Sequence, residues 1–333
     1  VRDRVQDCFG VAKFFKSYSA PTDLEQVKTA LSGLLEVKSF DSFRITANRA
    51  DKRFPVKSDQ INRDMGQYVK DLTGARVDLT HPDLHIHLDV LAKEILIYFD
   101  EVRGYGGLPV GTSGLVTAML SGGIDSPVAA WQLMKRGCQV QFVHFHSYPL
   151  VNMSSIEKVV DLTQHLTKFQ YGSKLHLVPL GEIQKKIILS TPPAYRVIFY
   201  RRFMMRVTEE LARRHKSMAI LTGESCGQVA SQTLENIAAI DAVVNMPVLR
   251  PLIGYNKEEI VDVARALGTY TTSIQPDQDC CSLFVPKHPE TRSDLETVVR
   301  LESVLDVDEL VKMALENTEV REFSSPVEAA IPA

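Results

Sequence analysis

Leu115-Val116-Thr117-Ala118-Met119-Leu120-Ser121-Gly122-Gly123-Ile124-Asp125-Ser126-Pro127-Val128-Ala129-Ala130-Trp131 is where two sequence periods meet. An apolar, β-prone run halts at Ser-Gly-Gly, and a helix-prone segment follows with Pro127 near its first turn. Two glycines let the backbone pass close to a bulky anion, and the hydroxyls of Ser121 and Ser126 can add donors. The helix points its free N–H groups and positive dipole end at the same spot. These are the parts of a phosphate cradle. The lysine of G-x-x-x-x-G-K-[ST] is missing, which excludes a Walker A loop, and G-x-G-x-x-G is missing too. Asp125 is out of place in a plain anion site, because a carboxylate repels phosphate.

Downstream, strands near 115–120, 138–145, 174–179, 218–222 and 242–245 alternate with helices near 127–136, 154–169, 181–190, 195–215 and 256–267. Such alternation predicts an α/β domain with a doubly wound parallel sheet, its ligand crevice at the carboxyl ends of the strands. His144-Phe145 ends the second strand, where the ring can pack on adenine or on the sheet edge. Leu221-Thr222-Gly223-Glu224-Ser225 ends another strand in a tight turn, with Gln228, Ser231 and Gln232 after it. Lys257 opens a helix against the dipole bias, which suits a cation facing polyphosphate as well as a solvated side chain. Asp277-Gln278-Asp279-Cys280-Cys281 holds vicinal cysteines. Neighbours on extended chain point opposite ways, so one thiol can stay accessible for sulfur chemistry. Two incidental small hydrophobes are the alternative.

Upstream, Gly104 to Gly114 contains five glycines and a proline, the mark of a linker. Before it the pattern is α+β. Residues 1 to about 20 read as strand-rich, around Cys8 to Phe15. Thr22 with Glu25 suggests a capping box for a helix from Asp23 to about Leu35. Ser42 to Arg49 alternates as a strand, Ser58 to Leu72 reads as a helix, and Val77-Asp78-Leu79, Leu84 to Val90 and Glu94 to Phe99 read as short strands.

The 333 residues are enough for two cores, and 44% hydrophobic with 24% charged residues is ordinary for a globular protein. No run reaches the ~18–20 apolar residues of a membrane span. The chain opens on Val1 with neither an initiator methionine nor a secretory signal, which reads as a processed or truncated start. Five cysteines without C-x-x-C spacing argue against a disulfide framework or zinc and for a reducing, cytoplasmic setting. His85-x-His87 and His144-x-His146 lack cysteines at ligand spacing, so no metal ligand set is read from them. Net charge is −3, yet residues 44–63 carry six basic against two acidic side chains and residues 196–216 seven against two. The two zones read either as a phosphate-neutralising stripe or as solvated helix faces.

S-G-G-x-D-S resembles the pyrophosphate loop of the N-type ATP pyrophosphatases, and this implies cleavage of ATP to AMP and pyrophosphate, with Mg2+ reconciling Asp125 with phosphate. Residues 43–99, including the loop Arg49-Ala50-Asp51-Lys52-Arg53-Phe54-Pro55, resemble the THUMP domain of RNA-modifying enzymes. That implies a tRNA-binding module using Arg49, Lys52, Arg53 and Lys57. Together with Gly227 to Leu234, Arg250-Pro251-Leu252, Lys257 and Asp279-Cys280-Cys281, these strings resemble the tRNA 4-thiouridine synthetases of the ThiI family, in their shorter form without a rhodanese domain.

The resemblance implies a remnant of a ferredoxin-like domain in 1–20, a THUMP domain in 21–103, a linker in 104–114 and a PP-loop ATP pyrophosphatase domain in 115–333. Met119, Leu120, His144, Phe145, Arg201, Gly223 and Gln232 are then expected to contact ATP with the loop residues Ser121, Gly122, Gly123, Asp125 and Ser126. Asp125 and Lys257 are expected to serve adenylation. Cys281 is expected to carry sulfur from a cysteine desulfurase, with Cys280 the close alternative and Cys280 or Cys226 resolving. The expected product is 4-thiouridine, at tRNA position 8. Related members also feed thiamin thiazole synthesis through a sulfur-carrier protein; the residues decide neither that role nor a homodimer. The rival readings are another PP-loop tRNA-modifying enzyme and an RNA-binding THUMP protein with an inactive second half.

Overall fold

The computed structural model describes residues 1–277 and 288–325. The chain divides into two compact units, one of Val1–Gln6 with Val11–Gly104 and the other of Asp7–Gly10 with the residues from Tyr105 onward.

A short helix α1 (Arg2–Asp7) opens the chain where strand was expected. The first unit then contains β1 (Lys13–Phe15), β2 (Tyr18–Ala20), α2 (Leu24–Leu35), β3 (Ser42–Arg49), α3 (Ser58–Thr73), β4 (Arg76–Val77), β5 (Leu84–Val90), β6 (Ile95–Tyr98) and β7 (Glu101–Arg103). Five strands form a mixed sheet in the order β2-β6-β5-β3-β4, and β1 pairs with β7. Residues 18–20, assigned from the sequence to a remnant of another domain, are thus the edge of this sheet. Ile61, Met65 and Val69 recur every four residues on α3 and, with Val27 and Leu31 of α2, cover Phe43, Ile86 and Leu88. The helix α2 is capped by Asp23, which accepts the Glu25 N–H, rather than by Thr22 one residue earlier. Strict alternation on β5 turns Leu84, Ile86, Leu88 and Val90 inward and leaves His85 and His87 half-buried on the other face.

The second unit runs β8 (Leu115–Met119), α4 (Asp125–Lys135), β9 (Gln139–His146), α5 (Ser154–Gln170), β10 (Gly172–Pro179), α6 (Gly181–Ser190), α7 (Arg196–Arg214), β11 (Ala219–Leu221), α8 (Leu234–Asp241), β12 (Val248–Leu249), α9 (Lys257–Leu267), α10 (Tyr270–Ser273), α11 (Leu295–Glu302), α12 (Val307–Glu316) and β13 (Glu319–Ser324). The sheet order is β12-β11-β8-β9-β10-β13, parallel except that β13 runs antiparallel to β10. β9 is buried on both faces, and its buried Gln141 and His144 interrupt the apolar residues that fill the two cores. Val140 and Phe142 join the core under α4 and α5, while Val143 and Phe145 join the core of α6 and α7. Phe9 is buried in the first of these cores, its ring 5.5 Å from that of Phe169.

One expected strand is displaced. Residues 242–245 follow α8 as a turn, and pairing with β11 begins only at Val248. The N–H groups of Asn245 and Met246 donate to the Glu209 carboxylate at 3.0 Å each, which takes them out of any ladder. Among the described residues no helix is long and apolar enough to cross a membrane.

Candidate active site

β8 lies between β9 and β11, and the chain builds the sheet outward through β9 and β10 before crossing to β11 on the other side of β8. A crevice opens at such a switch point. Residues 120–124 occupy it. Leu120 is pinned there by its N–H to the Val143 carbonyl at 2.8 Å, and its own carbonyl meets Nδ1 of His144 at 2.9 Å. The loop's hydroxyls turn inward: Ser126 Oγ accepts the Ser121 N–H at 2.9 Å, and Ser121 Oγ accepts the Gly123 N–H at 3.3 Å. These bonds set the loop's shape. The helix α4 has Ile124 at its N-cap and no side-chain cap bond, so its first-turn donors remain available to an anion.

Gly223 allows the next turn to press onto this loop. A Cβ there would lie 2.7 Å from both N and Cα of Ser126. Between the loop, β9, α7 and this turn lies a cavity of about 510 Å3. Met119, Leu120, Ser121, Asp125 and Ser126 border it on one side, and His144, Phe145, Arg201, Gly223 and Gln232 on the others. Ten of the twelve residues expected to meet ATP are therefore brought together. The other two, Gly122 and Gly123, lie outside the lining; Gly122 is covered by Asp277 and Lys158.

The carboxylates of the site have opposite surroundings. Burial pushes Asp125 above the ordinary carboxylate range, opposed by a 2.9 Å hydrogen bond from Gln228 and by the charge of Lys257. Glu224 is also driven upward by burial, but Arg201 and Arg250 outweigh it and hold the group below its ordinary value. Its oxygens meet Arg201 Nη2 at 2.5 Å, Arg250 Nε at 2.7 Å and Thr222 Oγ1 at 2.8 Å, and Arg250 grips Asp241 with both terminal nitrogens. The sequence marks Arg201 but not its anchor. The Thr-Gly-Glu string marks a ligand-facing turn, but nothing local shows that its carboxylate holds two arginines.

Lys257 begins α9 behind an Asn256–Glu259 capping box and is exposed. It does not border the cavity, although its charge reaches Asp125. Cys280 and Cys281 lie outside the described residues. The described chain on either side of them is at the site: Asp277 rests against Gly122, and Pro289 and Glu290 border the cavity. Cys226 is exposed in the turn after Glu224. In the first unit, Lys52, Arg53 and Lys57 are exposed on the loop between β3 and α3, while Arg49 donates to the Phe54 carbonyl at 2.9 Å and shapes that loop.

The expected second basic zone does not form a free stripe. Arg202 and Arg206 both close on Glu302, Arg201 closes on Glu224, and Arg213 and Arg214 pair with Glu209 and Glu210 one turn back.

Residues 111–307 match the family model described as Thiamine biosynthesis protein (ThiI), and residues 21–100 match the THUMP domain. The chain is 50% identical over 323 residues to a protein of Thermus thermophilus named "Probable tRNA sulfurtransferase", covering 97% of this chain and 80% of that one. A protein of the same name from Moorella thermoacetica is 44% identical, over 96% of this chain and 82% of that one. Among solved structures, a 4-thiouridine synthetase in complex with RNA and with bound ATP superposes with a TM-score of 0.90 at 38% identity, covering 96% of this chain and 85% of that one.

Proposed function

Because the chain belongs to the ThiI family and is an ATP-dependent tRNA sulfurtransferase of the 4-thiouridine type, we propose that it adenylates a tRNA uridine, at position 8, and exchanges the O4 oxygen for persulfide sulfur. The carrying observation is the cavity laid over the uncapped N-terminus of α4, with Asp125 in its lining. ATP seats its adenosine in the cavity and its phosphates against residues 121–126. The THUMP unit holds the tRNA through Arg49, Lys52, Arg53 and Lys57, and the uridine is turned out of its stack to reach the site.

The uridine O4 attacks the α-phosphorus, the bond to the β-phosphate breaks and pyrophosphate leaves. Donors at the start of α4 and the ammonium of Lys257 receive the developing negative charge. Asp125 fits a divalent cation: burial disfavours its ionised form, and one carboxylate together with phosphate oxygens is the donor set Mg2+ takes. Asp125 would hold the ion, which when bound neutralises the phosphates. Glu224 keeps the Arg201 guanidinium turned to the cavity. A persulfide on Cys281, charged by a pyridoxal-phosphate cysteine desulfurase, places its outer sulfur on C4, and AMP departs with the former O4. A second thiol, Cys280 or Cys226, then attacks Cys281, leaving sulfur on the base and a disulfide for reduction. The reaction belongs in the cytoplasm, and the same persulfide is what a thiamin sulfur-carrier protein would accept.

The test supplies the full chain with unmodified tRNA, ATP, Mg2+, cysteine and desulfurase, and counts nucleosides by mass spectrometry. One AMP and one pyrophosphate should appear per 4-thiouridine. ADP with phosphate would overturn the adenylation step, and undiminished 4-thiouridine from Cys281→Ser would remove that cysteine from its role.

A further inference from the structure

One buried charge at the loop has no part in the mechanism above. Lys158, on α5, is only 5% exposed. Its Nζ donates to the Ser273 carbonyl at 3.0 Å and stands 3.3 Å from Oδ2 of Asp277. Among the described residues these are its two partners for three N–H donors. Both charged side chains lie on Gly122: a Cβ there would come within 2.5 Å of Asp277 Oδ2, 2.7 Å of Lys158 Cδ and 3.5 Å of Lys158 Nζ. An ammonium so far out of water needs a strong counter-charge, and the 3.3 Å contact is longer than a close charge-assisted hydrogen bond. Asp277, for its part, is a carboxylate set against a loop whose ligand is anionic. Each charge is unfavourable alone, and both become reasonable if the anion beside Lys158 is exchangeable.

We propose that Lys158 is a second polyphosphate-binding cation of the 121–126 loop, held by Asp277 while the loop is empty and shared with the β- and γ-phosphates when ATP is seated. This rests on the reading of that loop as the ATP phosphate site. Two anions then compete for one ammonium, and removing the resident carboxylate strengthens the ligand's claim. A pair that only fastens α5 to the chain after α10 predicts the reverse, because its loss would loosen the loop.

The test is calorimetric titration of the full chain with ATP and Mg2+, and separately with AMP, which lacks the β- and γ-phosphates. Asp277→Asn should bind ATP about threefold more tightly or better and AMP unchanged. Lys158→Met should bind ATP about tenfold more weakly, the worth of one charged hydrogen bond, and AMP unchanged. Weaker ATP binding by Asp277→Asn, or equal loss of AMP and ATP by Lys158→Met, would assign the pair a structural role and end the proposal. The Asp277→Asn arm decides alone if Lys158→Met does not fold. A wild-type chain that binds neither nucleotide, or gains nothing from the outer phosphates, would instead remove the phosphate site itself.

Discussion

The loop between β3 and α3 keeps Lys52, Arg53 and Lys57 in solvent, whereas α7 commits Arg201, Arg202 and Arg206 to carboxylates as far as 100 residues along the chain. By charge count the two zones look alike. The loop has one nearby acid in use, Asp51, which Arg53 holds down to about 2 through hydrogen bonds while its own side chain stays 85% exposed. Arg202, by contrast, is 3% exposed and locked to Glu302. Positive charge becomes available for a nucleic acid only where the fold brings no carboxylate to meet it, and that depends on distant chain.

The largest effect should come from breaking the buried side of this comparison. Glu302→Ala strands Arg202 in the core, and removing one partner of a buried ion pair costs about 3–5 kcal/mol. Urea denaturation of the full chain, followed through the transition of the second unit, should show a loss of that size. A midpoint near wild type would mean that the α7 arginines are not structural.

Next in size is the exposed side. Replacing Lys52, Arg53 and Lys57 together by Ala should leave ATP affinity unchanged and weaken tRNA binding. The slope of log affinity against log salt should shrink by about 2–3, near 0.7–0.9 per lost phosphate contact. An unchanged slope would show that these side chains do not face phosphate.

What the sequence made legible follows the same division. The Ser121–Ser126 loop was readable because its signals are local: a change of period, two adjacent glycines, a helix start. β9 was readable from the strand–helix alternation, with Val140, Phe142, Val143 and Phe145 giving apolar residues for both faces. Contacts closed by distant residues were not. Glu302 gave no sign that it would meet Arg202 and Arg206, nor Arg250 that it would reach Glu224. β12 was placed too early because a side chain, Glu209, captures the N–H groups of Asn245 and Met246. β13, a polar edge strand antiparallel to β10 with Glu319, Arg321 and Glu322 among its six residues, carries little apolar signal. Cys280 and Cys281 were conspicuous by adjacency alone and lie outside the described residues.

A smaller effect is readable by pH. Burial pushes Glu302 upward, but hydrogen bonds from Arg206 and Arg202 outweigh it and set the group below its ordinary 4.5. Its ionised form is therefore favoured by folding. That stabilisation is complete above the unfolded value and is lost as pH falls through the folded one. Wild-type denaturation midpoints should drop on acidification below about pH 4.5. Glu302→Gln should start lower and show a flatter dependence across that window. Parallel curves for the two would mean that Glu302 does not titrate with unfolding.

The smallest expected change sits at the far end of α7. Arg213 and Arg214 are 54% and 53% exposed and pair with Glu209 and Glu210 across one helical turn. Solvent-screened pairs of this kind contribute a few tenths of a kcal/mol. Glu209 does not depend on Arg213, since the same oxygen accepts the Asn245 and Met246 N–H groups. Arg213→Ala with Arg214→Ala should thus move stability by less than about 1 kcal/mol and leave the salt slope of tRNA binding where it was. These two are the α7 arginines with most access to solvent, so they are also the ones that could reach RNA. If the double variant lowers that slope as the loop variant does, α7 presents a second phosphate-facing surface and the contrast between the two basic zones fails at this point.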